Sequence, residues 1–208
     1  MYEKLIPSIK SKVWTVSFAD QAKILQQIDI SDLQVVRNYF EGLFKVQKCN
    51  CILGPFGEER FAMLESFGCQ HMLDEQRVVH LGLDLITMAY SQVTTPLTGR
   101  VVLSQNEAGP GQFGGKVVLE SEHQGKNIYL LFGHLDPEQL APLGAEIQKG
   151  ATVGKLGSKE VNGGWLEHLH FQVLTQDGFE AGFANFGYGK SQDIGKYVLD
   201  PKLILTNS

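Results

Sequence analysis

The stretch 165-WLEHLHFQV-173 sets His168 and His170 one residue apart. In an extended strand alternate side chains share a face, so His168, His170 and Gln172 point one way. Leu169, Phe171 and Val173 point the other way, toward a core. The pattern is that of a half-buried strand with a nitrogen-rich polar face. Such a face is either a solvated edge or a metal or acid–base site.

Two further segments carry polar groups of the same kind. In 80-HLGLD-84, a strand puts His80, Gly82 and Asp84 on one face and Leu81, Leu83 and Leu85 on the other. One turn of helix also aligns His80 with Asp84, but Gly82 and the neighbouring valines favour a strand. In 128-IYLLFGHLD-136, His134 ends a strongly apolar run beside a glycine. Each pattern alone is explained by a capped strand or a surface hydrogen bond. Together, four of the six histidines and one aspartate gather on three β segments. A catalytic zinc site needs three protein nitrogen or oxygen ligands and one open position. His80, Asp84 and one histidine of the His168/His170 pair meet that count. His134 and the other histidine then remain to handle protons.

The rest of the chain frames this cluster. The 208 residues suffice for one sizeable core or one domain with an appended segment, and the composition is that of a globular protein, 43% hydrophobic and 20% charged. A net charge of −5 and the lack of any basic tract with interleaved aromatics argue against nucleic acid as a partner. No run approaches the roughly 20 apolar residues of a membrane span. The N-terminus lacks the apolar stretch of a secretory signal, and Cys49, Cys51 and Cys69 form no even disulfide framework. As written, the chain reads as cytoplasmic, with three reduced thiols.

Residues 1–70 read as helical, with candidates at 20-DQAKILQQI-28, 31-SDLQVVRNYFEGLFKVQK-48 and 58-EERFAMLES-66. In the second, Ser31 and Gln34 have capping-box spacing, and Leu33, Val36, Phe40 and Leu43 form an apolar stripe. From residue 76 the texture is β and glycine-rich, with strands expected near 76–85, 99–105, 115–122, 127–135, 151–158 and 166–174. The loop 109-GPGQFGGK-116 lacks phosphate-loop spacing and reads as a hairpin connection. Asp136 and Pro137 open a helical turn. The expected fold class is α+β: a helical N-terminal segment, residues 1–70, on a mostly antiparallel β domain, residues 71–208.

His80-Leu-Gly-Leu-Asp84, Phe-Gly-His134-Leu and His168-Leu-His170-Phe, in that order, resemble the lysostaphin/LytM-type zinc metallopeptidases. The turn-rich 144-GAEIQKGATVGKLG-157 and Gly163-Gly164 support the likeness, which covers about residues 76–175. The resemblance implies a LytM-like antiparallel β domain with the site in a groove floored by the sheet. It implies that His80, Asp84 and His170 bind Zn2+ and that His134 and His168 are the catalytic histidines. The implied reaction is hydrolysis of a peptide bond, next to glycine or in a peptidoglycan cross-link, by a zinc-activated water. Its partner is then a peptide or peptidoglycan-derived substrate. The chain departs from the family pattern in three ways. It shows no export signal, whereas the family usually acts outside the cytoplasm. Glu167 stands where the family often has proline, and Gln172 where it often has glutamate. The segment 162-NGGWLEHLHFQ-172 is similar to LytM-type domains embedded in larger intracellular enzymes. Two other readings compete: a non-enzymatic LytM-like binding or regulatory module, and a cupin-type metal site. The latter needs a glutamate about four residues after His170, where Leu174 and Thr175 stand.

Overall fold

In the computed structural model, which describes residues 1–10, 12–18, 27, 32–66 and 68–207, the His-x-His strand lies inside the sheet rather than at its edge. In chain order the first elements are β1 (Val13–Thr15), α1 (Leu33–Gln47), β2 (Cys51–Gly54), α2 (Phe61–Ser66) and α3 (Gln70–Asp74). Next come β3 (Val79–His80), β4 (Leu83–Ile86), β5 (Gln92–Thr94), β6 (Gly99–Glu107), β7 (Gly114–His123) and β8 (Lys126–Leu135). The chain continues through β9 (Glu146–Ile147), β10 (Thr152–Lys155) and β11 (His168–Thr175). It closes with α4 (Gln176–Glu180), β12 (Tyr188–Gly189), β13 (Val198–Leu199) and α5 (Lys202–Asn207).

The main sheet runs β1-β2-β4-β11-β8-β7-β6-β9, with β13 pairing β11 off that path. Only β1 and β2 pair in parallel; the other ladders of this sheet are antiparallel. Among the described residues the fold is therefore mostly antiparallel β with few helices. Alternation along β11 sorts its side chains as the sequence predicts. Leu169, Phe171 and Val173 enter a core with Leu83, Leu85, Leu130 and Phe132. Each such burial stabilises the fold by about 1.5–3 kcal/mol. The histidine face is buried as well, under the rings of His80, Phe113 and Trp165, and β11 is no edge strand, so the solvated-edge reading fails.

The expected strand at 76–85 is broken into β3 and β4 at Leu81-Gly82. A Cβ on Gly82 would sit 2.6 Å from His170 Nε2 and 2.8 Å from the Phe171 carbonyl, so only glycine passes there. The loop between β6 and β7 is a hairpin connection, as its glycines suggest. Asp136 caps the short 3-10 turn Pro137–Gln139 by accepting from Glu138 N–H.

Among its described residues the N-terminal segment carries strands as well as the helices its sequence suggests. The helix expected at 20–28 lies outside the described residues, apart from Gln27. Helix α1 forms, but its cap is Asp32, whose Oδ1 accepts from Gln34 and Val35 N–H, rather than Ser31. Val36 and Phe40 of α1 pack with Phe18, Ile52 and Met63 in a second cluster, against which Trp165 lies. Strands β1 and β2 extend the main sheet beyond β4. Arg37 of α1 grips both carboxylate oxygens of Glu167, at 2.8 and 2.9 Å, just before β11. Cys49, Cys51 and Cys69 are not joined in disulfides. No helix among the described residues is long and apolar enough to cross a membrane.

Candidate metal centre

Register places the first two groups. On β11 and β4, His170 and Asp84 are direct cross-strand partners. His80 arrives from β3, which is held against β12 by the pairing of His80 with Tyr188. The three side chains are 1%, 3% and 3% exposed for His80, Asp84 and His170. Their inward atoms form a nearly equilateral triangle. His80 Nε2 lies 3.2 Å from Asp84 Oδ1 and 3.2 Å from His170 Nδ1, which is 3.1 Å from Asp84 Oδ1.

The partners on the far side of each ring decide what that triangle offers. His80 Nδ1 lies 2.9 Å from the Pro55 carbonyl, which can only accept, so Nδ1 carries the proton and Nε2 a lone pair. His170 Nε2 lies 3.0 Å from Gln172 Oε1, and the Gln172 amide is oriented by donating to the Phe183 carbonyl at 3.3 Å. That fixes the proton on Nε2 and the lone pair on Nδ1. Three electron pairs therefore converge with no proton between them. Adjacent ligands on a tetrahedral zinc with bonds of ~2.0–2.1 Å sit about 3.3 Å apart, close to the separations found. The donor set and its spacing fit such an ion.

The remaining two histidines form a separate pair beside this triangle. The His134 and His168 rings lie 4.1 Å apart between centroids, and His134 stands 6.3 Å from the His170 ring. His134 Nδ1 donates to the Asn162 carbonyl at 2.7 Å, and His168 Nδ1 to the Leu166 carbonyl at 2.6 Å. Each ring therefore keeps its Nε2 lone pair free. His134 adopts a positive φ of 64°, held by its N–H to the Phe113 carbonyl at 2.7 Å and by Gly157 N–H to its own carbonyl at 2.9 Å.

Electrostatics favours the neutral form of His80, His134 and His168. Burial, with the nearby Arg60 charge, pushes His80 down to about 4 against the pull of Asp84. Burial also lowers His134 well below the usual histidine value, helped by His168 and His170, and it lowers His168. Burial opposes ionisation of Asp84, but His80 and Arg60 beside it hold its carboxyl well below the usual range.

All five residues line one cleft of about 760 Å³. Its walls include Gly111 and Phe113 of the β6–β7 connection, Gly163 and Gly164, and Met63, Leu64 and Met72 from the N-terminal segment. The segment bearing Phe186 and Tyr188 is pinned by the buried Lys116, whose Nζ donates to the Ala184 carbonyl at 2.7 Å and to Asn185 Oδ1 at 3.3 Å. The structure thus brings together His80, Asp84, His134, His168 and His170, the residues singled out in the sequence. It adds Gln172, Pro55 and Arg60 as their direct partners. Of these, only Gln172 had a sequence signal, its place on the histidine face of β11. A backbone carbonyl and an arginine 24 residues before Asp84 carry none.

Residues 78–180 match the family described as Peptidase family M23. Among solved structures, the catalytic domain of the antimicrobial peptidase lysostaphin from Staphylococcus simulans is 20% identical. That match covers 62% of this chain and 81% of that one, with a TM-score of 0.46. The catalytic domain of a mutant of the prophage-encoded M23 protein EnpA from Enterococcus faecalis is 18% identical, over 55% of this chain and 77% of that one, with a TM-score of 0.41. A zinc-containing peptidase from Vibrio cholerae is 25% identical, over 48% of this chain and 28% of that one, with a TM-score of 0.41. A comparison with curated proteins finds no match.

Proposed function

Residues 78–180 form a lysostaphin/LytM-type domain of peptidase family M23, and from that premise we propose that this chain is a zinc-dependent metalloendopeptidase. Its substrates are peptides with glycine-containing bonds or peptidoglycan cross-links. The observation that carries the reading is the triangle of lone pairs on His80 Nε2, Asp84 Oδ1 and His170 Nδ1, 3.1–3.2 Å apart with no proton to share. Zinc held by three such ligands supplies Lewis acidity, enough to make water a nucleophile near neutral pH.

The chain's own residues do the rest. His80 and His170 are oriented by Pro55 and Gln172, which turn one ring nitrogen of each toward Asp84 Oδ1. His134 and His168 each present an unprotonated Nε2 to the cleft. One accepts the proton of the attacking water there. That same Nε2–H then donates to the developing oxyanion and passes to the leaving amine, which returns the histidine to its neutral form. Burial favours the neutral base at the start of the cycle. Gly111 and Gly164, where nothing lies within 4 Å of a Cβ position, let an extended peptide approach the cleft wall closely.

The test is zinc content by elemental analysis of the full chain purified without chelator, followed by turnover of glycine-rich peptides and of purified peptidoglycan. Stoichiometric zinc in the wild type, its loss in His170→Ala, and cleavage by the wild type alone are expected. A wild type that neither holds nor takes up zinc overturns the reading. Binding of peptidoglycan with no cleavage by any form supports the non-enzymatic module instead.

A further inference from the structure

Behind the three convergent groups stands a buried cation that the proposed chemistry does not use. Arg60, at the start of α2, is 1% exposed. Its Nη1 donates to Asp84 Oδ2 at 2.7 Å and to the Tyr188 hydroxyl at 3.2 Å, and its Nε donates to Glu58 Oε2 at 3.0 Å. The Phe18 ring lies 4.6 Å from its Cζ. Nη2 is buried with no partner and faces Gly54. A Cβ on Gly54 would fall 2.7 Å from Nη2 and 3.3 Å from the Asp84 Cβ. Gly54 is also the cross-strand partner of Asp84 between β2 and β4. The sheet has therefore a gap beside Asp84, and a guanidinium fills it.

Burying that charge, with one nitrogen left unsatisfied, is unfavourable unless the remaining contacts compensate. Those contacts act on the geometry of Asp84. A free carboxylate can rotate, or offer both oxygens to one ion. With Oδ2 held by Arg60, only Oδ1 faces His80 and His170.

We propose that Arg60 is a positioning residue of the metal centre, holding Asp84 Oδ2 so that Oδ1 alone serves as the third ligand. This rests on the zinc reading above. It also gives residues 54–60 a role at the site: Gly54 makes room, Pro55 orients His80, and Arg60 orients Asp84. A purely electrostatic view predicts the opposite sign, because a guanidinium beside a divalent cation repels it and its removal tightens binding.

The experiment is zinc affinity of the full chain by competition with a chromophoric chelator, for wild type, Arg60→Met, Arg60→Lys and Gly54→Ala. Circular dichroism of the metal-free proteins checks folding, and the visible spectrum of the cobalt-substituted forms reports ligand geometry. Arg60→Met is expected to weaken zinc binding about 10–100-fold, the range for outer partners of metal ligands, and to alter the cobalt spectrum. Gly54→Ala, which keeps the charge but displaces it, is expected to shift both in the same direction. Unchanged or tighter zinc binding in folded Arg60→Met overturns the proposal. If that variant does not fold, wild-type affinity in both Arg60→Lys and Gly54→Ala does so. A wild type that takes up no zinc overturns the proposed function, and this inference with it. Zinc binding by the wild type that Arg60 variants leave intact overturns this inference alone.

Discussion

His168 and His170 leave the same face of the same strand, yet they offer opposite nitrogens to the cleft. His170 gives its Nε2 proton to Gln172 and turns Nδ1 inward; His168 gives its Nδ1 proton to the Leu166 carbonyl and keeps Nε2. A different contrast, in how the side chains converge, separates two regions of the site. Around the triangle, His80, Asp84 and His170 are each held by an outer partner and converge on one point. In the neighbouring pair, His134 and His168 lie ring against ring and are tied only to backbone carbonyls. Which nitrogen an imidazole offers is set by what takes its other proton, more than by the strand that carries it.

The contrast is broken most completely by removing a triangle member. His170→Ala is expected to lose zinc and, with it, all detectable hydrolysis, read by elemental analysis and peptide turnover on one preparation. Removing a member of the pair should separate the two properties. His134→Ala or His168→Ala is expected to retain zinc while turnover falls by about 10²–10⁴-fold. Zinc lost equally from these variants would erase the distinction. A subtler change acts on the outer partner: Gln172→Leu keeps both ligands but frees the His170 tautomer, and should weaken zinc binding about 10–100-fold.

The smallest expected effect comes from acid acting on the metal-free protein. His80, His134 and His168 all have values lowered from the ordinary 6.5 in the folded state. As pH drops below about 6.5 the unfolded chain takes up protons that the folded chain does not, so stability falls. The loss should begin near 6.5 and continue toward about 4, where His80 itself protonates. The Asp84 carboxyl, held well below its usual range, keeps its contribution through that window. Urea midpoints of the chelated protein between pH 7.5 and 4.5 check this, and a flat profile contradicts it.

The five chemical side chains and the central strands were legible because their information is periodic. β11, β8 and β7 alternate or run apolar over eight to ten residues, and the histidines sit on the polar phase. β2 offers no such signal. Its four residues, Cys51–Gly54, are all buried, and so short an apolar run has no readable period. Its pairing with β4 is a long-range event, and so are the contacts of Pro55 and Arg60 with residues some 25 positions ahead. The cap of α1 was misplaced by one residue because Ser31 and Asp32 are both good N-caps, and residue type alone does not rank them. The break at Leu81-Gly82 was hidden because the glycine is required by the His170 ring, which lies far along the chain.

The positive φ at His134 has a consequence for how this domain tolerates change. A non-glycine residue in left-handed backbone costs about 1–3 kcal/mol, and two hydrogen bonds to Phe113 and Gly157 hold His134 there. Asparagine or glycine would suit that backbone better. Selection for fold robustness and selection for turnover therefore pull in opposite directions at one residue, and a search for thermostable variants would tend to discard this histidine early.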